Sequence, residues 1–305
     1  QLVGDAVREL TGEGPPAAEP WWWSRARIHA AYVVEFHPTA PWLAAPYPSR
    51  VALWPVERGR YPYLLRGHTA QVHELAFAPD GTLYGIDDEA MRLFPINPDN
   101  GAVLVRDDVS ISMLEGAGSN DFGMTFTCDG NLFVTSVSQG SLYGLALDGT
   151  ATEIGALGAN ISAIAAFGDT LYGLGNGLDQ DLKEDNPSLF RIDTGTGAAT
   201  ESAPLGAAAG AYAEAGLAFD DSGTLWAITD RRDNVGFALK SQVMQLSLTD
   251  GSASAVQETG EAGFESLAIT VPRGCAPGGG DTAQFKVQKP LPGQDSRRSR
   301  WQAGW

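Results

Sequence analysis

The densest run of hard oxygen ligands in the sequence is GLDQDLKEDNP, residues 177–187. Asp179, Asp181, Glu184 and Asp185 are the donors calcium takes. The spacing departs from an EF-hand loop, because Lys183 stands at the third ligand position and the loop glycine is missing. A solvated charge cluster is the competing reading. The four histidines all lie early, at His29, His37, His68 and His73. With Met91, Met113 or Met124 they offer soft donors for copper or zinc. No histidine pair has the i, i+4 spacing of a helical metal site, so turn and surface histidines are the simpler assignment. Two cysteines cannot build a structural zinc site alone.

Two further groups bear on recognition. Trp21, Trp22 and Trp23 follow the Gly/Pro-rich stretch TGEGPPAAEP, and three adjacent indoles cannot all face one core. Arg297, Arg298, Arg300, Trp301 and Trp305 repeat the theme of basic and aromatic residues. Both groups are expected to contact a protein partner or a second copy of the chain; for the indoles the alternatives are packing against the propeller's flank, a sugar-stacking platform and a membrane-interface belt with Arg25 and Arg27. The charge supports this expectation. The net charge is −17, and residues 67–272 hold 29 acids against 7 bases, so an acidic body carries basic ends. Such a body excludes nucleic acid as a partner. No apolar run is long enough for a membrane-spanning helix.

Familiar catalytic motifs are missing: there is no GxSxG, GxxxxGK[ST], HExxH or complete GxGxxG. Catalysis would need residues scattered along the chain to converge, and Asn120, Asp121, Asn160, Asp230 and Asn234 are the candidates. Cys128 and Cys275 are the two thiols. The sequence starts at Gln1, which fits an exported protein after signal removal, and in an oxidising compartment the two thiols would pair. The expected location is secreted, periplasmic or at the cell surface.

The elements that must position these residues come from a repeat. FAPDGTLYG at 77–85, FTCDGNLFV at 126–134, AFGDTLYGL at 166–174 and FDDSGTLWAI at 219–228 align. Each has an apolar lead-in, a tight turn and an alternating strand, which is a hairpin signal. A third strand follows each hairpin (RLFPIN, SLYGLAL, SLFRID, VMQLSL), then a turn and a more polar fourth strand. Four short strands per period of roughly 40–55 residues predict an all-β fold, the β-propeller. With 43% hydrophobic and 19% charged residues, the chain can fill such a core.

Five blades are expected, with six as the alternative. The ring would close through a composite N-/C-terminal blade, whose inner strand is 265–270 and whose other strands are 32–37, 50–57 and 61–67. The predicted organisation is an irregular segment 1–30, a propeller 31–272 and a basic tail 273–305.

With LYGID, SLFRIDTGTGAAT and GLAFDDSGTLWAI, the stretch 67–272 resembles secreted bacterial β-propeller repeat proteins with LYxID…TGxAT repeats. It is broadly similar to WD40-like and quinoprotein-like propellers. RGHTAQVHELAFAPDG at 66–81 resembles a WD40 blade junction, although the Trp-Asp dipeptide is missing from every blade. No quinone or haem motif carries over. The resemblance implies a fold and leaves function open. The leading expectation is a secreted, non-catalytic binding or assembly module of an extracellular or envelope complex. The alternatives are a calcium-dependent hydrolase, lactonase- or phytase-like, and a copper- or zinc-binding surface protein.

Overall fold

The computed structural model describes residues 33–38, 40, 42–47, 50–55, 63–65, 72–87, 91–96, 110–114, 121–179, 181–220, 222–233 and 235–269. These residues form five antiparallel sheets. The first holds β1 (Glu35–Phe36), β2 (Trp42–Tyr47), β3 (Arg50–Pro55) and β4 (Tyr63–Leu65) in sequence order. The second holds β5 (Val72–Phe77), β6 (Leu83–Asp87) and β7 (Arg92–Ile96). The expected fourth strand there, over 102–108, lies outside the described residues. The third holds β8 (Phe122–Phe126), β9 (Leu132–Ser136), β10 (Ser141–Leu145) and β11 (Ala151–Ala156). The fourth holds β12 (Ile161–Phe167), β13 (Thr170–Gly175), β14 (Ser188–Ile192) and β15 (Ala199–Pro204). The fifth holds β16 (Tyr212–Phe219), β17 (Leu225–Arg231), β18 (Lys240–Leu246) and β19 (Ala253–Ala262).

The repeat residues build these hairpins. Leu83, Leu132, Leu171 and Leu225 are all buried. The Asp of each turn folds its own loop: Asp80 Oδ1 accepts from Thr82 N–H, and Asp220 Oδ1 accepts from the amides of Ser222 and Thr224. Such Asx turns explain Asp in a hairpin corner. Gly130 and Gly223, which follow the Asp in their turns, have φ of +84° and +81°, which a side chain would strain.

The apolar core is divided among the seams between sheets. One cluster joins Leu53 and Val51 to Leu75 and Phe94, and a second joins Ile86 and Leu93 to Met124 and Val134. A third joins Phe133 and Leu142 to Ile161 and Phe190, and a fourth joins Leu174 and Leu189 to Leu217 and Met244. In the fifth, Phe36, Leu43 and Trp54 pack with Ala268. Five sheets with five seams make a closed five-bladed β-propeller, as the repeat predicts.

The closure differs in detail from the expected composite blade. The first blade takes all four of its strands from the N-terminal region, and its inner strand is β1. Its second strand, Trp42–Tyr47, falls in a segment whose prolines hide it from pattern reading. Residues 263–269 form no strand but fill the seam. Val34 N–H donates to Ser266 Oγ at 3.0 Å, and a Cβ on Gly216 would sit 2.5 Å from Leu267 N and Ser266 Cα. The C-terminal segment therefore runs against β16 on one side and the first blade on the other.

Candidate functional site

The inner strands begin at one end of the disc, where the second strands end: Val72 opposes Asp87, Phe122 opposes Ser136, Ile161 opposes Gly175 and Tyr212 opposes Arg231. This end is the mouth face. Near it, the pairing of the first two strands slips between Val72 and Glu74, between Ile161 and Ala163, and between Tyr212 and Ala215. Bulges of this kind re-aim side chains. They fall where Glu74, Ser162 and Glu214 stand.

Six carboxyl groups gather at this end. Glu35 comes from β1, Glu74 from β5, Asp121 precedes β8, Glu214 comes from β16, Asp230 from β17 and Glu265 from the closing segment. All but Asp230 keep some surface open to water, yet they stand deep enough to be poorly solvated. Burial pushes Glu35 up to about 8. Burial first, then repulsion from Asp121, Glu265 and Asp230, pushes Glu214 up to about 8. Burial, then repulsion from Asp230 and Asp121, raises Glu265 to about 7. Glu74 rises well above the carboxylate range through burial and the fields of Glu35, Asp121 and Glu214. Like charges in a desolvated channel oppose ionisation in this way.

Arg232 is the cation these acids feel, and it lowers Glu214 and Glu265 in part. Its Nη2 donates to Asp230 Oδ2. The Asp230 side chain is 0% exposed. Burial raises its carboxyl despite Arg232 and the Gly263 amide. Asp230 Oδ1 takes no hydrogen bond from the protein, nor do the neighbouring Thr229 Oγ1 and Gln242 Oε1. Buried acceptors without a protein partner cost about 1–3 kcal/mol each unless water or a ligand meets them. The fourth blade adds neutral or paired groups: Ser162 Oγ donates to Asn176 Oδ1, and Asn160 and Asn186 both donate to Asp185.

The residues singled out in the sequence are distributed as follows. Asp121 and Asp230 are in the cluster. Asn160 lies beside it as the partner of Asp185, while Asn120 and Asn234 lie outside the described residues. The acidic run 177–187 does not converge. Asp179 Oδ1 accepts from the amides of Asp181 and Lys183, Asp181 meets Lys183 Nζ at 3.2 Å, Glu184 bridges Leu178, and Asp185 serves the asparagines. Among the described residues, no group of three His, Cys, Asp or Glu side chains is close enough to hold a metal ion. His37 is a packing residue. Its Nδ1 accepts from Ala40 N–H and its ring meets Phe77 at 4.9 Å. Met91 and Met124 are core residues and Met113 is exposed. His29, His68, Cys275, the three tryptophans Trp21, Trp22 and Trp23, and the basic residues Arg297, Arg298 and Arg300 with Trp301 and Trp305 lie outside the described residues, as does the side chain of His73. Cys128 lies in the β8–β9 turn, where its N–H donates to Gly168 O.

Glu35, Glu74, Glu214 and Glu265 escaped the sequence reading. Three of them share a partial signal: HELAF, AEAGLAF and FESLAI each set a Glu one to three residues ahead of an apolar Leu-Ala pair.

No protein-family signature matches the chain, and no curated protein sequence matches it. Solved structures do. Regucalcin, a calcium-binding protein from Agrobacterium tumefaciens, aligns with a TM-score of 0.55 at 20% identity over 79% of this chain and 78% of its own. Virginiamycin B lyase from Staphylococcus aureus gives 0.52 at 13% identity over 80% and 90%. The WD40 β-propeller domain of Doa1 gives 0.52 at 14% identity over 78% and 72%. The shared feature is the fold. This chain is a β-propeller, and at these identities the likeness extends no further.

Proposed function

We propose that this propeller is a non-catalytic binding and assembly module whose acidic mouth receives a positively charged ligand. The observation that carries the reading is the convergence of six carboxyl groups from four blades and the closing segment around one arginine. A cation that enters draws these raised carboxyls into their charged form and then meets a desolvated site of one sign of charge. Within that field Asp230, ion-paired with Arg232, keeps one buried oxygen without a protein hydrogen bond. Likeness to the WD40 propeller of Doa1 fits a scaffold of this kind. The proposed setting is extracellular or at the cell envelope, where Cys128 and Cys275 would be joined. A two-hydrogen deficit in the intact mass under non-reducing conditions would verify the bond.

Calorimetry tests the site. A short arginine-rich peptide should bind the full chain and release protons at pH 7, because a cation draws the raised carboxyls into their charged form. Glu214→Gln with Asp230→Asn should weaken binding roughly tenfold or more. Equal affinity for both proteins would overturn the reading.

A second reading, the calcium-dependent hydrolase, is favoured by one observation: Asp121 and Asp230 do converge, in a fold shared with a calcium-binding protein. It requires stoichiometric calcium and turnover of lactones or phosphate esters. A chain that binds the peptide without either supports the first reading.

A further inference from the structure

Two hairpins project from the mouth face. One, at 178–184, links β13 to β14, and the other, at 232–238, links β17 to β18. They are built alike. Asp179 and Asp233 each take two amides of their own turn on Oδ1. The hairpins touch, since a Cβ on Gly236 would lie 2.7 Å from Leu182 Cδ1. Leu182 holds φ +61° where its twin uses Gly236 at +88°, so a leucine sits in a backbone conformation that suits glycine. Leu182, Val235 and Phe237 are exposed by 46%, 63% and 71%, three of the six large apolar side chains exposed among the described residues. Asp230 and Arg232 lie at the foot of the second hairpin. The mouth thus has an acidic floor and an apolar rim.

We infer that this rim and floor receive the basic-aromatic segment Arg297–Trp305 of a second copy, stacking discs head to tail. The inference rests on the binding reading above. Charge and shape class match: RRSRW offers three guanidinium groups beside an indole, to carboxyls beside Phe237 and Val235. The direction of the chain supplies the second argument. Glu265 is level with Glu214, Ser266 and Leu267 with Gly216, and Ala268 packs with Phe36 and Leu43. The closing segment therefore runs with β16 away from the mouth face. The described chain ends at residue 269, heading away from its own mouth, and a segment that follows from that end and meets the mouth of another copy makes a heterologous, head-to-tail contact. Asp230, fully buried, keeps one carboxylate oxygen without a protein hydrogen bond beside its ion pair to Arg232, an observation independent of the acids' number.

The test uses full-length chains carrying complementary lesions. The first has Arg297→Glu, Arg298→Glu and Arg300→Glu, which spoil the segment. The second has Glu214→Gln and Asp230→Asn, which spoil the mouth. A third has Leu182→Gly and Phe237→Ser, on exposed positions where folding should be unaffected. In analytical ultracentrifugation the parent should form concentration-dependent species larger than a dimer, sensitive to salt. Each variant alone should be monomeric or at least tenfold weaker in assembly. The first and second variants mixed should form a one-to-one dimer, because one supplies the segment and the other the mouth. A mixture that stays monomeric, or variants that assemble like the parent, would overturn the inference. Monomers throughout, with an intramolecular crosslink between the segment and Phe237, would also overturn it in favour of docking within one chain. Titrating the first variant with a peptide of sequence 295–305 separates the two readings. Binding that the mouth lesions abolish, without assembly of the parent, leaves the acidic site standing and removes the second copy.

Discussion

Acidic residues in this chain have two separate jobs, and burial decides which. Asp129, Asp193, Asp220 and Asp250 lie in turns, and hydrogen bonds to their own loops outweigh burial to hold their carboxyls below the usual range. Burial raises Glu35, and burial with repulsion from neighbouring acids raises Glu74, Glu214 and Glu265. The folded state then binds more protons than the unfolded chain between the ordinary carboxylate value and about 8. Stability is therefore greatest near pH 5 and falls as pH rises through 7 and 8. Thermal melts should show that fall, and Glu214→Gln should flatten it. A melting temperature that climbs from pH 5 to 8 would contradict the assignment. Asp121 and Asp230 were legible as candidates because an acidic residue at a strand end invites a functional reading. The four glutamates were not: Glu74 and Glu214 stand at strand bulges that have no simple sequence mark, and Glu35 and Glu265 stand where the ring closes in a way the repeat did not predict.

At the scale of elements, the repeat leucines and Asp turns were enough to place the hairpins of the second to fifth blades. The first blade was read incompletely, since WLAAPY carries a proline that breaks the alternation of β2. The sheets also depend on glycines where inner strands meet. A Cβ on Gly216 would strike the backbone of the closing segment at 2.5 Å, and one on Gly123 would strike Ser162 O at 2.5 Å. Neither backbone can yield as a flexible side chain would. Gly216→Ala and Gly123→Ala should each cost about 1–3 kcal/mol in denaturant unfolding. Wild-type midpoints for both would mean the seams are looser than the packing requires. The acidic loop 177–187 taught the opposite lesson: its charges were conspicuous in the sequence, but its own amides and neighbours use them.

For the whole molecule, closure and recognition come together in residues 264–269. They fill the seam beside the first blade and carry Glu265 into the mouth. Deleting 264–305 should open the ring and abolish a single cooperative transition, because it exposes strand edges and apolar surface together. A cooperative melt near the parent temperature would show that the four N-terminal strands close the ring unaided. The claim on which the functional account stands is that the axial carboxyls are shared, desolvated and available to a cation. Carboxyl-detected NMR of the full chain, with carbon-13 in its glutamates, measures this most directly. The account predicts resonances of Glu35 and Glu214 titrating near 8, Glu265 near 7, and all three shifting to lower pH when the arginine-rich peptide is added. Glutamates that all titrate in the ordinary carboxylate range and ignore the peptide would contradict it.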